Sequence, residues 1–249
     1  MCDADRNFFD AHLILGPEDG PTPPAGMCGG VAVGSTPNAS TWPPSVLRAA
    51  PLDCIVGPND ARYPADADVL DVSLDGPALV KHLKEARAHW WPLCGSLRRD
   101  GKPLILYIRA DDFGSVAKGI TRLARAYPTV RFIVDPFPKG KDANWQAGVC
   151  LADVANIWIT TRGLYASENT WPNRSEREAL YFTIGEVGAG KLLFASGLTP
   201  AQMAARSENP EDWLLTVPFV EAAQRDLILR KNAAAAFAPA ADTRTLHAQ

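Results

Sequence analysis

The sequence lacks the features that mark several classes of protein. It has 25 Lys+Arg residues against 28 Asp+Glu and a net charge of -3, so it has no basic surplus with which to bind nucleic acid phosphates. No apolar run approaches the roughly 20 residues that a membrane-spanning helix needs. We do not expect residues 1–5 to begin a signal peptide, because no positive segment is followed by an apolar one. We therefore predict neither a nucleic acid nor a membrane partner, and a cytoplasmic location.

Cysteine motifs and nucleotide-binding motifs are also missing. The 5 cysteines are Cys2, Cys28, Cys54, Cys94 and Cys150, and their wide spacing without a C-x-x-C pair argues against a disulfide framework or a thiolate zinc site. The sequence has no G-x-x-x-x-G-K-[ST] motif and no G-x-G-x-x-G motif after a predicted strand. These absences disfavour an open nucleotide-binding sheet.

Short β-branched or apolar runs alternate with helical patterns along the chain. Strands are predicted at residues 8–15, 30–33, 53–56, 69–74, 103–108, 130–134, 156–161 and 191–195, and helices at residues 77–97, 112–127, 175–187 and 218–237. Such alternation predicts a parallel sheet, and this number of strands in one chain of 249 residues is typical of a (β/α)8 barrel. We predict one α/β barrel domain over residues 1–249, distorted in its N-terminal third, because the Pro- and Gly-rich residues 17–68 leave little room for helices.

Five segments, in order along the chain, resemble those of one protein family. They are residues 9–16 (FDAHLILG), 127–136 (YPTVRFIVDP), 156–165 (NIWITTRGLY), 188–200 (GAGKLLFASGLTP) and 231–237 (KNAAAAF). They resemble the first, sixth, seventh and eighth strand regions and the closing helix of the amidohydrolase-related family, which comprises barrel hydrolases and decarboxylases. Each segment alone is a weak signal, but their order and intervals together support the barrel.

The resemblance implies a divalent metal site that this sequence mostly lacks. In the family, the ligands are two histidines of the first strand, histidines of the fifth and sixth strands and an aspartate after the eighth, which leave a position open for water. The corresponding residues here are His12, Ile14, Tyr107, Pro136 and Gly197. Only His12 keeps the expected ligand type. We therefore predict a degenerate metal centre and no cofactor.

Other polar residues at the same end of the barrel are candidates for the site. His12 and Asp135 are the candidate catalytic residues, and Tyr107 and Ser196 are candidate substrate-binding residues. His12 has a structural alternative, in which Asp10 or a backbone carbonyl accepts its hydrogen bond. Asp135 follows a buried strand, where an unpaired carboxylate is costly, so we expect it to find an arginine or backbone donors.

Two arginines complete the set of substrate-binding candidates. Arg109 follows the fifth predicted strand and Arg162 the seventh, at the end of a barrel where active sites form. Their guanidinium groups could bind a carboxylate or a phosphate. The alternative is that they pair with Asp111, Asp112 or Asp135 and have a structural role.

Three functions remain open from the sequence. The first is a non-catalytic barrel that binds a small carboxylate- or phosphate-bearing molecule or a partner subunit, as a homo-oligomer or with an intact paralogue. The second is a metal-independent hydrolase of the lactonase or esterase type, or a decarboxylase, acting on a small carboxylate compound. The third, a conventional metal-dependent hydrolase or decarboxylase, is disfavoured by the missing ligands.

Overall fold

The computed structural model of the chain describes residues 8–14, 27–33, 46–51, 68–74, 86–108, 113–137, 144–164, 174–205 and 210–237. These residues contain eight strands. The strands are β1 (Phe8–Ile14), β2 (Met27–Val33), β3 (Val46–Pro51), β4 (Val69–Leu74), β5 (Leu104–Ile108), β6 (Phe132–Asp135), β7 (Ile157–Thr160) and β8 (Leu192–Leu193).

The strands form one parallel sheet in the order of the chain. Each strand from β1 to β7 pairs with the next. The two ends of the sheet meet where the backbone N–H of Ala11 donates to the carbonyl of Phe194, just after β8, at 2.8 Å. The predicted (β/α)8 barrel is confirmed.

Helices follow most of the strands from β4 onwards. They are α1 (Ala86–Asp100), α2 (Phe113–Ala126), α3 (Trp145–Val149), α4 (Arg174–Val187), α5 (Pro200–Ala204), α6 (Pro210–Thr216), α7 (Ala222–Asp226) and α8 (Asn232–Phe237). A 3-10 turn at Cys150–Asp153 continues α3, and a π-helical segment at Leu227–Lys231 joins α7 to α8. Of the helices that the structure describes, none combines the length and the apolar character needed to cross a bilayer.

Alternation along the strands separates an inner from an outer core. In β5, Leu104 and Leu106 pack in the larger cluster with the surrounding helices. Ile105 packs in a second cluster that contains inward-facing residues of other strands, such as Ile133 and Leu193. Side chains on a strand point alternately to its two faces, so every second residue of β5 to β8 faces the barrel interior. The same alternation determines which polar side chains meet at the mouth of the barrel.

The last helical segment belongs to the wall of the barrel. The N–H of Asn232 bonds to the carbonyl of Leu227, the i−5 pairing of a π-helix. The carbonyl of Ile228 then accepts a hydrogen bond from the N–H of Phe194 at 3.0 Å. The buried residues Ala233, Ala236 and Phe237 of α8 pack in the inner cluster. The predicted helix at 218–237 is therefore several short helical segments attached to the end of the sheet.

The N-terminal third departs from the predicted pattern. The third strand is Val46–Pro51, whereas it was predicted at 53–56, residues that lie outside the described part of the chain. β2 begins at Met27, three residues before its predicted start, because its first half is glycine-rich and carries little β signal. The helix predicted at 77–97 is described from Ala86 onwards; it ends at Asp100, three residues later than predicted, and contains Pro92.

Candidate functional site at the carboxyl end of the barrel

Three polar residues face the barrel interior where neighbouring strands end. Tyr107 of β5 pairs in register with Asp135, the last residue of β6. Thr160 ends β7, two residues after Trp158, which packs against the inner cluster. Because the alternation places residues two apart on the same face, Tyr107, Asp135 and Thr160 line one side of the barrel mouth.

Arg162 supplies a cation to this group. It lies two residues after β7, and its Nη1 is 3.2 Å from Oδ2 of Asp135. The guanidinium carbon lies 4.9 Å from the centroid of the Tyr107 ring, the geometry of a cation–π contact. Asp135 thus forms an ion pair with an arginine, as we expected from the sequence. Of the alternative partners, Asp111 and Asp112 lie outside the described residues.

Asp135 is buried with incomplete hydrogen bonding. Its side chain is 10% exposed, and its Oδ1 has no hydrogen-bond partner among the described residues. Burial raises the pKa of Asp135 to about 7, although Arg162, Thr160 and the backbone of Phe137 act to lower it. The Thr160 hydroxyl is buried next to it. The site therefore contains a carboxyl group that changes charge near neutral pH.

The Arg162 side chain can take this position because residue 197 is a glycine and has no side chain. Gly197 has φ +63, in the left-handed region, which favours glycine. A Cβ atom at this position would lie 2.8 Å from Cγ and 3.2 Å from Nε of Arg162. The arginine side chain therefore passes over Gly197 and occupies the space that a larger residue would fill.

Asp10 holds the adjoining loop in place. Its Oδ1 accepts a hydrogen bond from the N–H of Ser196 at 3.0 Å, and its Oδ2 accepts one from the Ser196 hydroxyl. The same hydroxyl accepts from the N–H of Leu198 at 3.2 Å. Asp10 is fully buried. Ser196, a candidate for binding substrate, thus joins β1 to the segment that contains Gly197.

The remaining predicted site residues are described in part or not at all. His12 is part of β1, but its side chain lies outside the described part of the structure. Arg109 lies outside the described residues altogether. Pro136 is buried and has no side-chain donor atom for a metal. Within the described residues, no three His, Cys, Asp or Glu side chains are grouped so that they could hold a metal ion.

Thr160 and the bond between Asp10 and Ser196 were not predicted from the sequence. Thr160 could have been found by counting in twos from an inward-facing residue of β7. The Asp10 bond joins residues 186 positions apart and has no local sequence signal. The role of Gly197 was also missed, because the sequence does not show which side chain occupies the space beside it.

Comparison with known proteins identifies related sequences and folds. The profile of the amidohydrolase family matches residues 113–238. No curated protein matches the chain. A similar solved structure is that of a Pseudomonas putida protein described as a 2-pyrone-4,6-dicarboxylic acid hydrolase. It is 18% identical, with 95% of this chain and 99% of that chain covered and a TM-score of 0.62.

Two further solved structures have the same fold. An uncharacterized TIM-barrel protein from Bordetella bronchiseptica is 16% identical, covering 86% of this chain and 79% of that chain, with a TM-score of 0.59. A 2,6-dihydroxybenzoate decarboxylase from Rhizobium is 13% identical, covering 93% and 98%, with a TM-score of 0.52. At these identities the likeness concerns the fold.

Proposed function

The chain belongs to the amidohydrolase family, and we propose that it binds a small carboxylate-bearing compound at the carboxyl end of its barrel. This binding does not require a transition metal. The observation that carries the proposal is the position of the Arg162 guanidinium, which lies between Asp135 and the Tyr107 ring. A cation fixed at this position attracts an anion at the place where the family resemblance implies a metal ion.

The hydrogen-bonding capacity of Arg162 fits a carboxylate. Its Nη1 faces Asp135, while Nε and Nη2 make no hydrogen bond to any residue in the described part of the chain. A guanidinium–carboxylate contact is worth about 1.5–3 kcal/mol. The names of two structural relatives, a dicarboxylic acid hydrolase and a dihydroxybenzoate decarboxylase, support a small carboxylate over a phosphate.

Metal independence is supported by the positions that the family resemblance assigns to ligands. Pro136 and Gly197 offer no side-chain donor, and the space next to Gly197 is filled by Arg162. The ring of Tyr107 lies against the same guanidinium. A divalent ion placed here would be repelled by the arginine, so the described residues do not fit the family's metal.

The test is ligand-induced thermal stabilisation with a panel of small mono- and dicarboxylates, with phosphates as a second series. We expect at least one carboxylate to stabilise the wild type, and Arg162→Ala to weaken its binding roughly 10- to 100-fold. Arg98→Ala is the matched control, because Arg98 is exposed on α1. The proposal fails if no anion stabilises the wild type, or if Arg162→Ala responds equally well.

Metal-independent turnover is the second candidate, and the raised pKa of Asp135 favours it. A carboxylate with a pKa of about 7 is suited to general acid–base chemistry at neutral pH. The Asp135 carboxylate would accept a proton from water attacking an ester or lactone, while Arg162 stabilises the negative charge that develops on the carbonyl oxygen. His12 stays a candidate for the same role.

Turnover is tested with esters, lactones and aromatic carboxylates. If Asp135 acts as the base, the rate rises with pH through about 7 and Asp135→Asn abolishes it while carboxylate binding persists. An active enzyme whose rate is unchanged in Asp135→Asn would exclude this mechanism. A partner subunit, a homo-oligomer and a cytoplasmic location remain predictions from the sequence.

A further inference from the structure

A groove of about 480 Å³ lies on the outer surface of the barrel, and its lining contains neither Asp135 nor Arg162. One wall is α2, and the other is α3 with the 3-10 turn that follows it. Its size is within the range of small-molecule sites. Its lining includes the cations Lys118, Arg122 and Arg125 on the first wall and Ala147, Cys150 and Leu151 on the second.

The α2 wall is cationic. Lys118, Thr121, Arg122 and Arg125 have the spacing i, i+3, i+4 and i+7, which places them on one face of the helix. The opposite face is apolar and buried. The 14-residue helix contains no acidic residue, although acidic residues outnumber basic ones in the whole chain.

Lys118 and Arg125 lie at the two ends of this cationic face, while Arg122 between them makes another contact. Arg125 is in the last turn of α2, where a cation interacts favourably with the helix dipole, whereas Lys118 lies outside that turn. An anion bound between Lys118 and Arg125 is attracted by both charges.

The facing wall carries no basic residue among those that line the groove. Ala147 and Leu151 present apolar surface to the groove. Cys150 is exposed on this wall, and burial together with the charges of Asp153 and Glu186 raises its pKa. An anion is therefore favoured along α2 and disfavoured near Cys150, so the uncharged part of a ligand belongs on the α3 side.

We propose that the groove between α2 and α3 is a binding site for a small organic phosphate. Its phosphate group lies between Lys118 and Arg125, and its uncharged body covers Ala147, Leu151 and Cys150. Lysine and arginine bind phosphate oxygens through charge-assisted hydrogen bonds, and small side chains on the facing wall leave room for the body. The site is separate from the Asp135–Arg162 cluster and does not depend on the function proposed there.

Cys150 provides a local measurement of binding. The protein is labelled with iodoacetamide, and the rate at Cys150 is followed by peptide mass spectrometry, with AMP as the probe. Cys94 is buried and serves as an internal reference. We expect AMP to slow labelling of Cys150 in a saturable manner, while adenosine and sulfate at equal ionic strength do not.

The variant Lys118→Gln/Arg125→Gln removes both charges from the groove. Arg122 is left unchanged, because it makes another contact. The AMP concentration for half-maximal protection should rise at least about tenfold, and comparing each variant with and without AMP cancels changes in thiol reactivity. Arg98→Gln/Arg99→Gln on α1 is the matched control and should behave like the wild type.

The proposal is overturned by any of three results. They are no protection by AMP, equal protection by adenosine or sulfate, and protection by AMP that survives in Lys118→Gln/Arg125→Gln. Circular dichroism of each variant shows whether it is folded. If the double variant does not fold, the single variants Lys118→Gln and Arg125→Gln replace it, each with an expected severalfold loss.

Discussion

Asp10 and Asp135 are both buried in the barrel, but their surroundings differ. Both oxygens of Asp10 accept hydrogen bonds, from the backbone and the hydroxyl of Ser196. Asp135 is paired with Arg162, and its Oδ1 accepts no hydrogen bond from the residues that the structure describes. The first carboxylate holds two ends of the sheet together. The second has its pKa raised to about 7 by burial, which the neighbouring donors offset only in part.

The largest effect is expected from Asp10→Ala. The substitution leaves two buried donors of Ser196 without an acceptor, so we expect the free energy of unfolding to fall by roughly 3–5 kcal/mol. Chemical denaturation measures it. Asp153→Ala is the control, because Asp153 is exposed, and should change stability little. Equal losses of stability in the two variants would show that Asp10 does not have this structural role.

The effect of Asp135→Asn should depend on pH. The pKa of Asp135 is raised to about 7 in the folded protein, so the folded state keeps a proton that the unfolded chain releases near pH 4. The stability from this group is complete below about pH 4 and lost as the pH rises to 7.

We therefore expect Asp135→Asn to gain stability relative to the wild type between pH 4 and 8, by roughly 2–4 kcal/mol at about 1.4 kcal/mol per pH unit. Denaturation of both proteins across this range measures the difference. If the difference does not vary with pH, Asp135 titrates normally and is not poised for proton transfer.

A smaller effect is expected from Gly197→Ala. The left-handed backbone and the contact with Arg162 should together cost roughly 1–3 kcal/mol. In an Arg162→Ala background the contact is absent, so the cost of Gly197→Ala should fall to the backbone contribution of about 1 kcal/mol. A double-mutant cycle on denaturation midpoints measures this coupling. Additive effects would show that Arg162 does not occupy the space beside Gly197.

The smallest effect is expected from metal ions. Neither EDTA nor added Zn²⁺ should change the Tm, because a ligand stabilises a protein only when it binds the folded state. Elemental analysis should find far less than one equivalent of metal per chain. A stoichiometric metal that chelation removes with a loss of stability would contradict the proposed function.

Much of the barrel could be predicted from the sequence, while its site could be predicted only in part. The buried strands β5, β6 and β7 carry continuous apolar runs, which are a strong local signal. The glycine-rich start of β2 and the segment 46–51 lack such a signal. The partner of Asp135 was one of several alternatives in the sequence, because pairing across a barrel depends on the register between distant segments.

The closure of the barrel has a consequence for folding during synthesis. Ala11 of β1 bonds to Phe194, and Phe194 bonds to Ile228, so the first strand can pair with the other edge of the sheet only after residues 194 and 228 have been synthesised. Contacts between such distant residues form slowly, and an unpaired strand edge can associate with other chains in the meantime. The nascent chain therefore has an unpaired edge at β1 until the segment that contains Phe194 has left the ribosome.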